Sequence, residues 1–179
     1  MMVMDCALKN LLLTGSPGCG KTTVVRHVIE RLSHLRLVGF YTEELREHGQ
    51  RIGFEVIGLG GGKAMLAHVD FCTQHRLGRY GVDMGGFKTI LRVELAKPAD
   101  QVDLYIIDEI GKMECLSPVF AEIVSRILDG PVPALATIAA KGGGFITEVK
   151  GQQDVEIVAV TAANRDRLPD ELVRRFQPQ

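Results

Sequence analysis

Residues Gly15 to Thr22 read Gly-Ser-Pro-Gly-Cys-Gly-Lys-Thr, a complete G-x-x-x-x-G-K-[ST] pattern directly behind a short apolar run. No other stretch narrows the possible folds as far. The run Asn10-Leu11-Leu12-Leu13-Thr14 has the length and composition of a fully buried parallel strand. Behind the pattern, Val24, Val25, Val28, Ile29 and Leu32 recur at helical spacing, so a helix is expected from about Lys21. Strand, glycine loop and helix in that order form a cradle for phosphate.

The chemistry needs these residue types. Gly15, Gly18 and Gly20 allow backbone angles and a closeness of approach that a Cβ blocks. Successive N–H groups then turn inward as a nest for phosphate oxygens. The positive end of the following helix adds to the attraction. In such a loop Lys21 reaches the β- and γ-phosphates and the Thr22 hydroxyl holds Mg²⁺. The expected nucleotide-binding residues are therefore Gly15, Ser16, Pro17, Gly18, Cys19, Gly20, Lys21 and Thr22.

A second element completes the pattern. Leu104-Tyr105-Ile106-Ile107-Asp108-Glu109 reads as an apolar strand ending in two carboxylates. In phosphate-loop enzymes the acid at such a strand tip holds Mg²⁺, which assigns Asp108 to the metal together with Thr22. Glu109 follows immediately and is placed to orient or deprotonate a water. Asp108-Glu109-Ile110-Gly111 also fits D-x-x-G, a segment that senses the γ-phosphate in regulatory GTPases, so Ile110 and Gly111 join the expected site. The N-K-x-D segment that reads guanine is missing. Asn164-Arg165-Asp166 comes nearest and lacks the lysine and the spacing.

The chain of 179 residues is 46% hydrophobic and 24% charged, the composition of an ordinary globular protein. It shows no linker, low-complexity tract or repeat, so one domain is expected over residues 1–179. Its net charge of −1 leaves no clear footprint for nucleic acid or anionic membranes. No apolar run approaches the length of a membrane span, and Met1 to Cys6 lacks the basic start and apolar core of a signal peptide. Four scattered cysteines, at 6, 19, 72 and 115, support neither zinc nor a disulfide framework and suggest reduced thiols in the cytoplasm. Cys19 has two readings, a passive loop residue or a redox switch beside a helix N-terminus.

Further strands are expected at 37–42, 52–57, 64–68, 134–138 and 155–160. Helices are expected within 85–97, ending near Pro98, and over 118–128 and 169–176. Gly58 to Gly62 lacks nucleotide-loop spacing and is read as a hairpin turn. Apolar strands alternating with helices imply an α/β fold of three layers. Its central sheet is mainly parallel, with helices on both faces and an antiparallel hairpin added.

The run Asp108-Glu109-Ile110-Gly111-Lys112-Met113-Glu114 resembles the signature of the THEP1-type nucleoside-triphosphatases, a family of small P-loop NTPases. The resemblance continues through Gly39 to Glu44, Arg51-x-Gly53-Phe54, Gly78 to Val82, Ala136-Thr137-Ile138 and Thr161-x-x-Asn164-Arg165-Asp166. It implies the P-loop NTPase fold and Mg²⁺-dependent hydrolysis of several nucleoside triphosphates to diphosphate and phosphate. Slow turnover and loose base preference are implied too. The chain departs from the family at Ala163, where relatives often carry an acid, and in the loop Lys141 to Gly144. Lys112, which the signature adds, has two readings: a cationic finger on the transferring phosphate, or a surface lysine paired with Glu109 or Glu114. Arg51, Arg79 and Arg165 are further candidates for the finger, while Tyr80 and Phe40 read as packing residues.

Three functions fit these residues. Hydrolysis uses Lys21, Glu109 and Lys112 as catalytic groups. A nucleotide or small-molecule kinase with the same loop is the alternative, opposed by the lack of any arginine between Gly130 and Val155. A nucleotide-sensing protein with an unidentified protein partner is the third.

Overall fold

A computed structural model describes residues 8–177; the reading of Met1 to Cys6 lies outside them. The elements are β1 (Asn10–Thr14), α1 (Lys21–Arg31), β2 (Leu37–Glu47), β3 (Gln50–Gly58), β4 (Lys63–His68), β5 (Arg76–Leu77), β6 (Tyr80–Val82), α2 (Met84–Glu94), β7 (Leu104–Ile110), α3 (Pro118–Asp129), β8 (Ala134–Ile138), α4 (Phe145–Lys150), β9 (Val155–Ala159) and α5 (Leu168–Phe176). Among the described residues nine strands form one sheet in the order β5-β6-β4-β3-β2-β7-β8-β1-β9. From β2 to β9 the pairings are parallel. From β2 outward to β5 they are antiparallel.

Alternation along the strands builds two cores. Leu12, Phe40, Tyr105 and Ile107 face α2, α3 and α4, meeting Phe87, Phe120, Val124 and Val149. Leu11, Leu13, Leu104 and Ile106 point the other way, against Val24, Val25 and Val28 of α1 and Leu168 and Leu172 of α5. With both faces covered, the parallel strands read as unbroken apolar runs. No helix among the described residues is long and apolar enough to cross a membrane.

The antiparallel addition is larger than one hairpin. β2 runs five residues past the expected Thr42, through Glu43 to Glu47, and turns at His48-Gly49 into β3. Both turn residues have positive φ, 48° and 78°, the backbone that a two-residue turn between twisted strands requires. The Gly58 to Gly62 hairpin forms as expected, and its open amides are filled from α2. Glu94 is 5% exposed and accepts from Gly60 N (2.7 Å) and Gly62 N (3.1 Å). A Cβ on Gly58 would stand 2.1 Å from the Glu94 carboxyl carbon, so the glycines are there to admit the acid. Replacing Glu94 by Ala strands both amides. It is expected to destabilise the fold by about 1–3 kcal/mol, read as a lower urea midpoint; an unchanged midpoint removes the anchor.

Candidate active site

The glycine loop joins β1 to α1 where the parallel strands end. Gly18 and Gly20 take φ of 75° and 106°, values that favour glycine. Gly15 is confined as well: a Cβ there would lie 2.7 Å from Cys19 Sγ and 2.8 Å from the Val160 carbonyl oxygen. No side chain caps the start of α1, which leaves the first-turn amides facing the loop. Both other long helices that begin beside the sheet are capped, α2 by Asp83 and α3 by Ser117. Lys21 folds over the loop and donates to the carbonyls of Gly15 (3.2 Å) and Ser16 (3.4 Å).

Asp108 approaches from β7, although β8 lies between β7 and β1. The Thr22 hydroxyl donates to Asp108 Oδ2 (2.8 Å), and the Thr137 hydroxyl on β8 donates to Oδ1 (2.6 Å). Asp108 is 1% exposed, and burial raises its pKa against the lowering effect of the Thr137 and Thr22 hydrogen bonds. Glu109 is half-buried. Burial raises its pKa first, the Asp108 charge adds to that, and Lys21 opposes it. The Asp108–Glu109 peptide is cis.

Ile110 is fully buried in the core, so only its backbone lines the strand tip. Gly111 is a point of contact between acids. Its missing Cβ would meet Glu114 Oε2 at 2.7 Å and the Glu109 carboxyl carbon at 3.4 Å. Lys112 is exposed and makes no ion pair with Glu109 or Glu114. Arg51 and Arg79 meet each other on the antiparallel arm, where both bond Tyr80 and Arg51 pairs with Glu44. None of their hydrogen bonds reaches the loop. Arg165 does lie against it, its Cδ 3.6 Å from the position of a Gly20 Cβ. Phe40 and Tyr80 pack as expected, in the core and against Phe54.

Two residues of the site carry no motif of their own. Thr137 is an ordinary threonine in an apolar strand, and only the pairing of Leu13 and Ile106–Ile107 with β8 brings it level with Asp108. Glu114 is 6% exposed, and burial with the nearby Glu109 charge pushes its pKa up to about 8. The sole hint to either was its place in a family segment. Cys19, Cys72 and Cys115 are free thiols, and burial drives Cys115 to a pKa of about 12.

Mg²⁺ suits the donors present. A threonine hydroxyl and a buried carboxylate are hard oxygen ligands. Thr22 and Asp108 already meet at hydrogen-bond distance, and the Lys21 charge, after the hydrogen bonds, helps to lower the pKa of Asp108. Mg²⁺ keeps several waters and binds through one or two protein oxygens plus phosphates, so a larger cage is not needed.

A glycine loop between strand and helix, with an acid-tipped strand one place removed, defines the P-loop nucleoside-triphosphatase fold. The family model described as NTPase matches residues 10–173. The nucleoside-triphosphatase THEP1 of Natranaerobius thermophilus is 41% identical, across 95% of this chain and 97% of that protein. The cancer-related nucleoside-triphosphatase of Homo sapiens is 35% identical, across 94% and 97%. Among solved structures, the crystal structure of THEP1 from Aquifex aeolicus superposes with a TM-score of 0.86 at 31% identity, covering 94% of this chain and 99% of that one. The chain belongs to the THEP1 nucleoside-triphosphatase family and is an enzyme that hydrolyses nucleoside triphosphates.

Proposed function

We propose that the whole chain acts as one domain that hydrolyses Mg²⁺-bound nucleoside triphosphates, with loose base preference, to the diphosphate and phosphate. The meeting of Thr22 with Asp108 beneath the loop held by Lys21 carries this reading. Loop amides and the open start of α1 receive the phosphates. Lys21 turns from the loop carbonyls to phosphate oxygens. Thr22 and Asp108 hold Mg²⁺, which when bound offsets charge on the phosphates. Thr137 fixes the orientation of Asp108 through its second oxygen. Glu109 takes the proton of the attacking water, a role that a raised pKa favours. Lys112, unpaired and exposed, adds positive charge at the departing phosphate.

Loose base preference has its own support. Asn164, the residue nearest to a base-reading asparagine, is engaged at both ends of its amide. Its oxygen accepts from Thr161 N (2.8 Å), and its nitrogen donates to the Ala159 carbonyl (2.8 Å).

Phosphate release from ATP, GTP, CTP and UTP, each with and without Mg²⁺, tests the reading. Comparable rates that require Mg²⁺ are expected. Lys21→Ala should weaken nucleotide affinity by about tenfold or more, since a charge-assisted contact is lost. Unchanged affinity refutes the cradle, and phosphate delivered to an added nucleoside instead of water replaces hydrolysis with a kinase reaction.

A further inference from the structure

The opposite end of the parallel strands, at the amino ends of β7 and β8, holds a cleft of about 340 Å³, a size that small-molecule sites commonly have. It opens between the end of α2 and the end of α3. Leu95, Ile127 and Val132 supply apolar wall, while Tyr105, Lys97 and Arg126 supply the polar groups. Tyr105 stands three residues before Asp108 on the same strand, roughly 10 Å away at about 3.3 Å per residue. The cleft is therefore a separate place from the phosphate loop.

Its polar groups lack protein partners. Tyr105 is 7% exposed as a residue, and its hydroxyl, which reaches solvent in the cleft, makes no hydrogen bond among the described residues. Burial pushes the phenol upward in pKa, and the Arg126 charge, close enough to act on it, pulls it down. Neither Lys97 nor Arg126 is in an ion pair among the described residues. Arg126 lies on α3, whose neighbouring acids, Glu122 and Asp129, leave it unpaired. An apolar wall, one unpartnered donor and two unpaired cations converge on a single opening.

The geometry points to a second ligand site for a small carboxylate with an apolar body. The carboxylate takes the Arg126 guanidinium, which offers paired donors of matching shape, along with Lys97 and the Tyr105 hydroxyl. The apolar body fills the space against Leu95, Ile127 and Val132. Such a ligand needs no phosphate and no metal, so the site does not depend on the hydrolytic chemistry at the other end of the strands.

Titration with 2-naphthoate, followed by backbone amide NMR shifts, provides the test. Saturable shifts are expected at Tyr105, Ile127 and Val132. 2-Naphthalenemethanol, of similar shape and without charge, should bind about tenfold more weakly. Arg126→Glu should weaken naphthoate by about tenfold or more and leave phosphate release from ATP unchanged. Tyr105→Phe should weaken it several-fold, and Lys97→Glu serves as a second surface variant should Arg126→Glu alter the melting temperature. The site is overturned by the absence of saturable shifts at these residues. Equal binding of acid and alcohol overturns it too, as does naphthoate affinity that survives both charge reversals.

Discussion

Glu109→Gln is expected to slow phosphate release by a factor of about 10² to 10⁴, the usual worth of a positioned general base, with nucleotide affinity nearly unchanged. The substitution keeps the size and shape of the side chain and removes its ability to accept a proton. Its surroundings explain why the effect should be large. Burial and the Asp108 charge raise its pKa, which makes its carboxylate a stronger base than an exposed glutamate. Lys21 opposes that rise and keeps the carboxylate available. Thr22, Asp108 and the loop are untouched by the change, so binding should persist. Single-turnover phosphate release, paired with fluorescence titration of a labelled nucleotide, separates the two quantities. Normal turnover in the variant would remove Glu109 from the mechanism.

Glu114→Gln is expected to stabilise the nucleotide-free enzyme at alkaline pH, on the order of a few kcal/mol near pH 8. The acid is buried against Gly111 beside Glu109. Burial, then repulsion from Glu109, carries its pKa from 4.5 to about 8. The folded state therefore holds a proton that the unfolded state releases above about pH 4.5. Its contribution to stability is whole below that value and is lost as the pH rises through about 8. The loss has a limiting slope of about 1.4 kcal/mol per pH unit. Glutamine carries no charge and abolishes this dependence. Urea midpoints of parent and variant should coincide near pH 4.5 and separate progressively toward pH 8. Parallel profiles across that range would show that Glu114 does not carry a proton in the folded enzyme.

What the sequence displays, and what it hides, divides by distance along the chain. The phosphate loop is legible because its chemistry is written in eight consecutive residues, and the strand ending at Asp108 because the five buried positions Leu104 to Asp108 are apolar up to the terminal acid. The long arm of β2 is hidden by Glu43, Glu44 and Glu47. A paired strand whose residues lie partly or fully open to solvent loses its apolar signature. β5 and β6 are too short to show a period. The six-residue helix α4 falls behind a glycine run that reads as plain loop. Glu94 and the glycines it anchors are 32 and 34 residues apart, and Thr137 and Asp108 are 29 apart. Both pairings exist only once the sheet has assembled. Glu114 is hidden differently: beside exposed Lys112 it looks like surface, and its burial follows from a glycine at 111 that lets a carboxyl lie where a side chain would have stood.

The strand order also sets a schedule. β1, the earliest strand to leave the ribosome among the described residues, is flanked in the sheet by β8 and β9, the latest. The glycine loop and Asp108 are both synthesised well before Ala134, yet β8 is the strand that lies between them and supplies Thr137. A nascent chain that has reached only α3 thus carries the phosphate loop and the Asp108 strand but lacks the strand that stands between them. Catalytic competence arrives with the last third of translation.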